Sequence, residues 1–582
     1  MRILLIASAF NSLTQRVFTE LDDRGHRVAV HTAPGARGMR EAVRAHRPEL
    51  VIAPMLTEVI PPEVWSAVPC LVVHPGPPGD RGPSALDRAL QDGVTEWGVT
   101  VLQAVAGLDA GPVWAAERFP VPPGAGKSDL YRGEVADAAL RALRTALGRF
   151  TAGERPAPGP PGPLRPLLRQ AGRRIDWAAD GTGTVLRRLR AADSRPGVRD
   201  TLAGAEWYLH GGHREPRLRG RPGELIATRD GAVCRATADG AVWIPRLRPV
   251  RRPGERRPVR LPAVRALALA GRLPRGLPEI PAGAGPVPDG RAWSEIHYRE
   301  EGPAGFLTFA FPGGAMDTGR CRRLLRAWRH AVSRPVRVLV LGPRRDFFSN
   351  GIDLDAIEAA ADPAAESWSA IRAMNDLVEA VLTTTDRLVV AALPGNAAAG
   401  GAMLALAADE VWCRSGSVLN PHYRRMGLYG SEFWTYTLPR RAGRAEAGRL
   451  TGRALPVGAA RAARLGLVDR VIDAPPEAFA GEAARLAAGL ARSGRLQARI
   501  AEKKAARERD EAARPLARYR EAELLRMRAA FDDPAAPYHA LRAAFVRREG
   551  ADRAPADPLA PPPEPPGGTP AVSLPGRVPE KR

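Results

Sequence analysis

Over its first 150 residues the chain alternates short apolar runs with stretches of helical periodicity. Ile3-Leu4-Leu5-Ile6, Val28-Ala29-Val30, Leu50-Val51-Ile52 and Leu71-Val72-Val73 predict buried strands, and residues 13–24 and 39–46 predict helices between them. Such alternation implies a parallel, doubly wound α/β sheet, which binds ligands at the carboxyl ends of its strands. A further strand is predicted over 98–104. Residues 151–166, TAGERPAPGPPGPLRP, predict a Pro/Gly-rich linker. Then, over 167–272, a helix at 183–191 and short runs such as Ala232-Val233-Cys234-Arg235 and Ala241-Val242-Trp243-Ile244 predict a small β-barrel. A second linker is expected over 273–291.

From Trp293 the pattern changes. Strands are predicted at 306–309, 336–341 and 388–392, followed by AAAGGAMLALAAD (397–409), a helix whose small residues imply close packing. Residues 477–548 are rich in Ala, Arg and Glu and read as helices, and 549–582 as a disordered Pro-rich tail. The expected units are therefore 1–150, 167–272 and 292–548, before that tail.

Composition adds limits. A chain of 582 residues exceeds one core, so two to four domains are expected. No apolar run approaches the ~20 residues of a membrane helix. The opening MRILLIASAFNS reads as a first strand rather than a signal peptide, which predicts a cytoplasmic protein with no membrane partner. The net charge of +23 raises the question of nucleic acid. Only four of the 86 basic residues are lysines, and the arginines are spread along the chain without forming a stripe. That pattern indicates a global arginine bias, and no nucleic-acid partner is expected. Cys70, Cys234, Cys321 and Cys413 are far apart and lack CxxC spacing, so neither a metal site nor a disulfide framework is indicated. No GxGxxG follows the first strand, so a dinucleotide is not supported.

The candidate chemistry concentrates between Cys70 and Ala115. The fourth strand delivers His74 into a Pro/Gly turn, followed by Asp80-Arg81-Gly82 and the turn Leu108-Asp109-Ala110-Gly111. A histidine at a strand end and an aspartate in a tight turn can form an acid/base pair. Equally, His74 can cap a strand and Asp109 make an Asx-turn.

The segment HPGPPGDRG, followed by DGVTEWGVTVLQAVAGLDAG, resembles the signature region of 10-formyltetrahydrofolate-dependent formyltransferases. Their histidine matches His74, their Arg-Gly matches Arg81-Gly82, and their aspartate turn matches Asp109-Ala110-Gly111. Their asparagine position is Val72 here, a departure. The resemblance implies that His74 and Asp109 stabilise an oxyanion and move protons. Losing one oxyanion donor costs about 3–4 kcal/mol, so either a backbone N–H substitutes or the acceptor is more reactive, as a thiol would be. Residues RRIDWAADGTGTVLRRLRAADSRPGV resemble the C-terminal barrel of methionyl-tRNA formyltransferases.

The third unit resembles crotonases (enoyl-CoA hydratases/isomerases). The resemblance implies an oxyanion hole for a thioester, made by the N–H groups of Ile352, in Phe348-Ser349-Asn350-Gly351-Ile352-Asp353-Leu354, and Gly401, in Ala399-Gly400-Gly401-Ala402. LTGRALPVGAARAARLGLVDRVI also matches that family. The two hydratase glutamates correspond to Met403 and Tyr423, so hydration of a C=C bond is not expected. Tyr423 can donate or accept a proton, with Tyr429 and Glu432 as alternatives, or it can be structural.

The order of these parts, with HPGPPGDRGPSALD, LNPHYRRMGLYGSEFWTY and YHALRAAFV, resembles the HypX/HoxX family of hydrogenase-maturation proteins over about residues 1–548. That resemblance implies formyl transfer from 10-formyltetrahydrofolate to coenzyme A, then decarbonylation of formyl-CoA to carbon monoxide for the [NiFe] site. Other maturation proteins are implied as partners. Gln15, Arg132 and Arg542 are candidate ligand-binding residues, the arginines for coenzyme A phosphates. Two rival readings remain: a non-catalytic folate- and coenzyme A-binding scaffold, and a formyltransferase of another acceptor fused to an acyl-CoA enzyme.

Overall fold

The computed structural model of the protein describes residues 1–32, 35–281 and 293–548. They form two compact units, one built mainly of Met1–Glu295 and the other of Ile296–Ala474 with Ala478–Val546. The tail expected from 549, and 282–292 of the second linker, lie outside the described residues.

The first unit begins with a six-stranded sheet of β1 (Arg2–Ala7), β2 (Arg27–Thr32), β3 (Leu50–Met55), β4 (Cys70–His74), β5 (Glu96–Gln103) and β6 (Val113–Pro120), in the order β2-β1-β3-β4-β5-β6. The strands β1 to β4 are parallel, as the burial of β1, β3 and β4 on both faces predicts, with β2 the part-exposed edge. By contrast, β5 runs antiparallel to β4 and β6 antiparallel to β5, so the sheet is parallel over four strands only. Between β1 and β2 runs α1 (Ser12–Asp23), whose first turn is capped by Asn11 Oδ1 accepting from Thr14 N at 3.0 Å. The strand order reverses beside β1, which places the ligand crevice at the carboxyl ends of β1, β3 and β4.

Residues 151–166 are not a free spacer. Ala157 pairs with Val113 and Leu164 with Arg81, so the segment lies along the first sheet's loops. Beyond it, two four-stranded antiparallel sheets form the expected small β unit, one running from Leu225–Arg229 to His213–Glu215 and the other from Leu261–Pro262 to Val198–Leu202. Trp293 closes this unit, stacking on His213 with ring centroids 5.3 Å apart.

The second unit is built on a six-stranded sheet in the order Ile296–Glu301, Ala304–Phe309, Val338–Leu341, Leu388–Leu393, Glu410–Arg414 and Arg470–Ile472. All neighbours are parallel except the first pair. Beside it lie two small sheets, Ala315–Met316 with Gly351–Ile352, and Ala397–Ala398 with Val418–Asn420 and Val457–Gly458. The core contains Trp328, Phe348, Met403, Phe433, Trp434, Phe531 and Tyr538. The predicted C-terminal helices are Phe479–Arg492, Leu496–Ala513, Leu516–Asp532 and Pro537–Arg547. Among the described residues no helix is long and apolar enough to cross a membrane.

Candidate functional sites

Strand β4 sets the first site. Side chains alternate along it, so Leu71 and Val73 pack into one core layer and Cys70 and Val72 into the other. Val72 and His74 therefore share a face, and the position where formyltransferases carry asparagine is one step down the strand from the histidine. After His74 the turn Pro75-Gly76-Pro77-Pro78-Gly79 doubles the chain back, with Asp80 N donating to Pro77 O at 3.0 Å. This places Asp80 over the histidine. His74 Nε2 lies 2.8 Å from Asp80 Oδ2, and His74 Nδ1 lies 3.5 Å from Asp109 Oδ2. His74 and Asp80 are buried, and the Asp109 side chain is nearly so. Asp109 adopts a left-handed conformation (φ 49°), and its Oδ2 accepts from Gly82 N at 3.0 Å. Arg81 ties the rim together, donating from Nε to Leu108 O at 3.1 Å and from Nη1 to Gly162 O at 3.3 Å.

Sequence reasoning thus named His74, Asp109, Arg81 and Gly82, and the structure brings them together. It overlooked Asp80. The available signal was the Pro/Gly turn, which forces residues six apart onto each other.

Gln15 and Arg132 sit on a different pair of abutting elements. Gln15 is in the first turn of α1, its Nε2 donating to Phe10 O at 3.0 Å. Arg132 belongs to a π-helical turn, Tyr131–Val135, and its carbonyl accepts from Arg16 Nη1 at 3.2 Å. Asn11 Nδ2 donates to Tyr131 Oη at 3.3 Å across the same contact. Such turns are frequent at functional sites, and the sequence pattern does not reveal this one.

In the second unit the two glycine turns run side by side. Ser349 bridges Ala397, Phe348 N donates to Asn396 O at 2.9 Å and Ala398 N to Ser349 O at 2.8 Å. A Cβ on Gly401 would stand 2.2 Å from Ser349 O, so only glycine permits this approach. The Ile352 and Gly401 positions are thereby held next to each other. A Cβ on Gly400 would lie 2.5 Å from Glu432 Oε1, so the Glu432 carboxyl faces the same turn. Met403 is fully buried apolar packing.

Tyr423 Oη donates to Glu432 Oε2 at 2.7 Å, joining two of the three candidate proton carriers. Burial raises the Glu432 carboxyl to about 7, and burial together with the Glu432 charge pushes the Tyr423 phenol well above its ordinary value. Glu432 and Phe433 both occupy left-handed backbone (φ 61° and 59°). Glu523 stabilises that bend by accepting from Phe433 N and Thr435 N, each at 2.8 Å. Its own carboxyl is raised to about 8, chiefly by burial. Tyr429 stands apart, its ring 5.3 Å from Trp434 and under the Arg526 guanidinium. Arg542 is buried, donating from Nε to Glu358 Oε2 at 3.0 Å. Among the described residues no group of three or more His, Cys, Asp or Glu could hold a metal ion.

Three family models match the chain in this order: formyl transferase over 29–147, formyl transferase C-terminal domain over 167–254, and enoyl-CoA hydratase/isomerase over 321–535. The protein is a formyltransferase-type unit joined to a crotonase-type unit. It is 47% identical over 565 residues to the hydrogenase maturation factor HoxX of Bradyrhizobium diazoefficiens, covering 95% of this chain and 96% of that one. The crystal structure of HypX from Aquifex aeolicus in complex with tetrahydrofolic acid matches with a TM-score of 0.90 and 42% identity, covering 94% of this chain and 96% of that one. A methionyl-tRNA formyltransferase from Variovorax paradoxus is 29% identical over 230 residues, 38% of this chain and 70% of that protein. The chain belongs to the HoxX/HypX family of hydrogenase maturation factors.

Proposed function

We propose that this protein makes carbon monoxide for a [NiFe]-hydrogenase in two steps in the cytoplasm, delivering it to other maturation proteins. A formyl group passes from 10-formyltetrahydrofolate to the thiol of coenzyme A in the first unit. Formyl-CoA is then decarbonylated in the second. The observation that carries this reading is Glu432, a buried acid set against a glycine turn of the kind that holds thioesters, where the two hydratase glutamate positions are Met403 and Tyr423. The tetrahydrofolic acid in the Aquifex aeolicus protein supports a folate donor. Gln15 and Arg132 are assigned to ligand binding on the first unit, and Arg542 to coenzyme A on the second.

In the first step the thiol sulfur bonds to the formyl carbon, the carbon–N10 bond breaks, and the thiol proton moves to N10. His74 Nδ1 and Asp109 Oδ2 stand 3.5 Å apart, and this pair is assigned to carry that proton. Val72 supplies no oxyanion donor, which a thiol acceptor tolerates better than an amine does. In the second step the formyl C–H electron pair becomes the carbon lone pair of carbon monoxide. The C–S pair leaves on sulfur, and the proton passes from carbon to sulfur. The Ile352 and Gly401 N–H groups polarise the carbonyl. Glu432, with Tyr423 as hydrogen-bond partner, holds the proton in transit; a carboxyl near 7 can both take and return it at neutral pH.

Paired variants test the division of labour. His74→Ala is expected to release carbon monoxide from supplied formyl-CoA but not from the folate donor. Tyr423→Phe is expected to accumulate formyl-CoA from the folate donor and release carbon monoxide at least tenfold more slowly. Loss of both steps in each variant, with both folded, would contradict separate sites.

A further inference from the structure

We propose that Asp80 is the positioning residue of formyl transfer. It fixes His74 through Nε2 so that Nδ1 alone faces Asp109 and the reacting group. The proposal rests on the formyl-transfer reading above and deepens it.

The two carboxylates around His74 are not equivalent. Asp80 Oδ2 lies 2.8 Å from Nε2, within hydrogen-bond range, whereas Asp109 Oδ2 lies 3.5 Å from Nδ1, beyond it. A carboxylate can only accept, so Nε2 carries a hydrogen and donates it to Asp80. Asp109 Oδ2 is already held by the Gly82 N–H. The gap between Nδ1 and Asp109 is therefore where a proton in transit fits, and the Nε2 side is closed. Gly76 keeps it closed: a Cβ there would stand 2.4 Å from Asp80 Oδ2 and 2.5 Å from His74 Nε2. The chain leaves out a side chain where this hydrogen bond needs the room.

The second Asp80 oxygen points to a further part of the device. Oδ1 is buried and has no hydrogen-bond partner, and Arg165 Nε stands 3.9 Å from it. A buried carboxylate with one uncompensated oxygen is costly unless a charge stands near. Arg165 comes from the Pro/Gly segment, which is pinned to this turn: Arg165 N donates to Arg81 O at 3.0 Å, and Leu164 bridges Arg81. The segment that composition marks as a linker thus supplies the charge behind the positioning carboxylate. Through the transfer Asp80 exchanges no proton; the thiol proton passes by Nδ1 to N10 while Nε2–H stays on Asp80. This is the division between base and orienter seen in hydrolase triads.

Full-length Asp80→Asn, Arg165→Ala and wild-type protein are compared in formyl transfer from 10-formyltetrahydrofolate to coenzyme A, with ¹⁵N NMR of the His74 ring in the substrate-free protein. Wild type is expected to show hydrogen on Nε2. Asp80→Asn is expected to lower kcat about 10³–10⁴-fold and to shift hydrogen toward Nδ1, with the donor KM within about twofold of wild type, which a merely structural carboxylate would not produce. Arg165→Ala alters a part-exposed side chain, so folding is retained, and it should lower kcat about fivefold. An unchanged tautomer, or kcat within threefold of wild type, in Asp80→Asn would overturn the proposal; should that variant not fold, unchanged kcat in Arg165→Ala overturns it. If wild type transfers no formyl group, the reading beneath fails, and the tautomer, which needs no substrate, still decides the role of Asp80.

Discussion

Glu432→Gln separates the charge of the buried acid from its shape. The carboxyl is fully enclosed, and burial raises it from 4.5 to about 7. At 1.36 kcal/mol per unit, that difference corresponds to about 3 kcal/mol between protonation states. Between pH 4.5 and 7 the folded carboxyl keeps a proton that the unfolded chain has released. Stability therefore falls as pH rises through this window, and the loss is complete above about pH 8. Glutamine never ionises. The variant should match wild type near pH 5 and exceed it at pH 9 by up to about 3 kcal/mol. For a unit of this size that is about 6–12 °C in the Tm of the crotonase-type transition. Glu523, raised in part by the Glu432 charge, should ionise more readily in the variant. Differential scanning calorimetry at the two pH values reads the effect, with the two units' transitions resolved because a two-unit chain does not unfold in one step. Carbon monoxide release should meanwhile fall about 10²–10⁴-fold. A stability change of equal size at pH 5 and pH 9 would refute the assignment of a buried ionisable acid.

Three further outcomes are expected. His74→Ala should lower formyl transfer by about 10²–10⁴-fold while tetrahydrofolate binding, read by calorimetric titration, stays within a few-fold of wild type. Gly401→Ala should lower carbon monoxide release from formyl-CoA by 10²-fold or more, because its Cβ would press on the Ser349 backbone and disturb the hole; formyl transfer, assayed separately, should be unaffected. Arg542→Ala should lower stability in denaturant unfolding by removing the Arg542–Glu358 ion pair, whose two side chains are almost wholly enclosed. A loss of coenzyme A affinity in Arg542→Ala without destabilisation would instead favour a direct phosphate contact.

What was legible in the sequence follows from what periodicity and short motifs encode. The apolar runs of β1, β3 and β4 located those strands because parallel strands buried on both faces need uninterrupted apolar residues. The reversal at β5 was not legible, since such a run looks the same in either direction. His74, Asp109 and the two glycine turns were legible because each sits in a compact motif. Asp80 was not, because nothing linear tells which aspartate meets which ring nitrogen. Nor could composition show that 151–166 is pinned by backbone pairing to Val113 and Arg81: Pro and Gly record an extended course, not freedom. Glu432 stood among several proton carriers until its position against Gly400 singled it out. Its supporting partner Glu523 lies far along the chain, on a helix that no local pattern links to it. Arg542 likewise finds Glu358 across 184 residues, so its ion pair was beyond any local reading.

In the proposed function one chain converts a folate-borne formyl group into carbon monoxide through coenzyme A. The most direct measurement incubates the purified full-length protein with ¹³C-formyl-labelled 10-formyltetrahydrofolate, with and without coenzyme A, and traps the gas on reduced haemoglobin. ¹³C-labelled carbon monoxide is expected on the haem, in step with tetrahydrofolate formed, only when coenzyme A is present. Unlabelled haem with both substrates bound, or label appearing equally without coenzyme A, would contradict it.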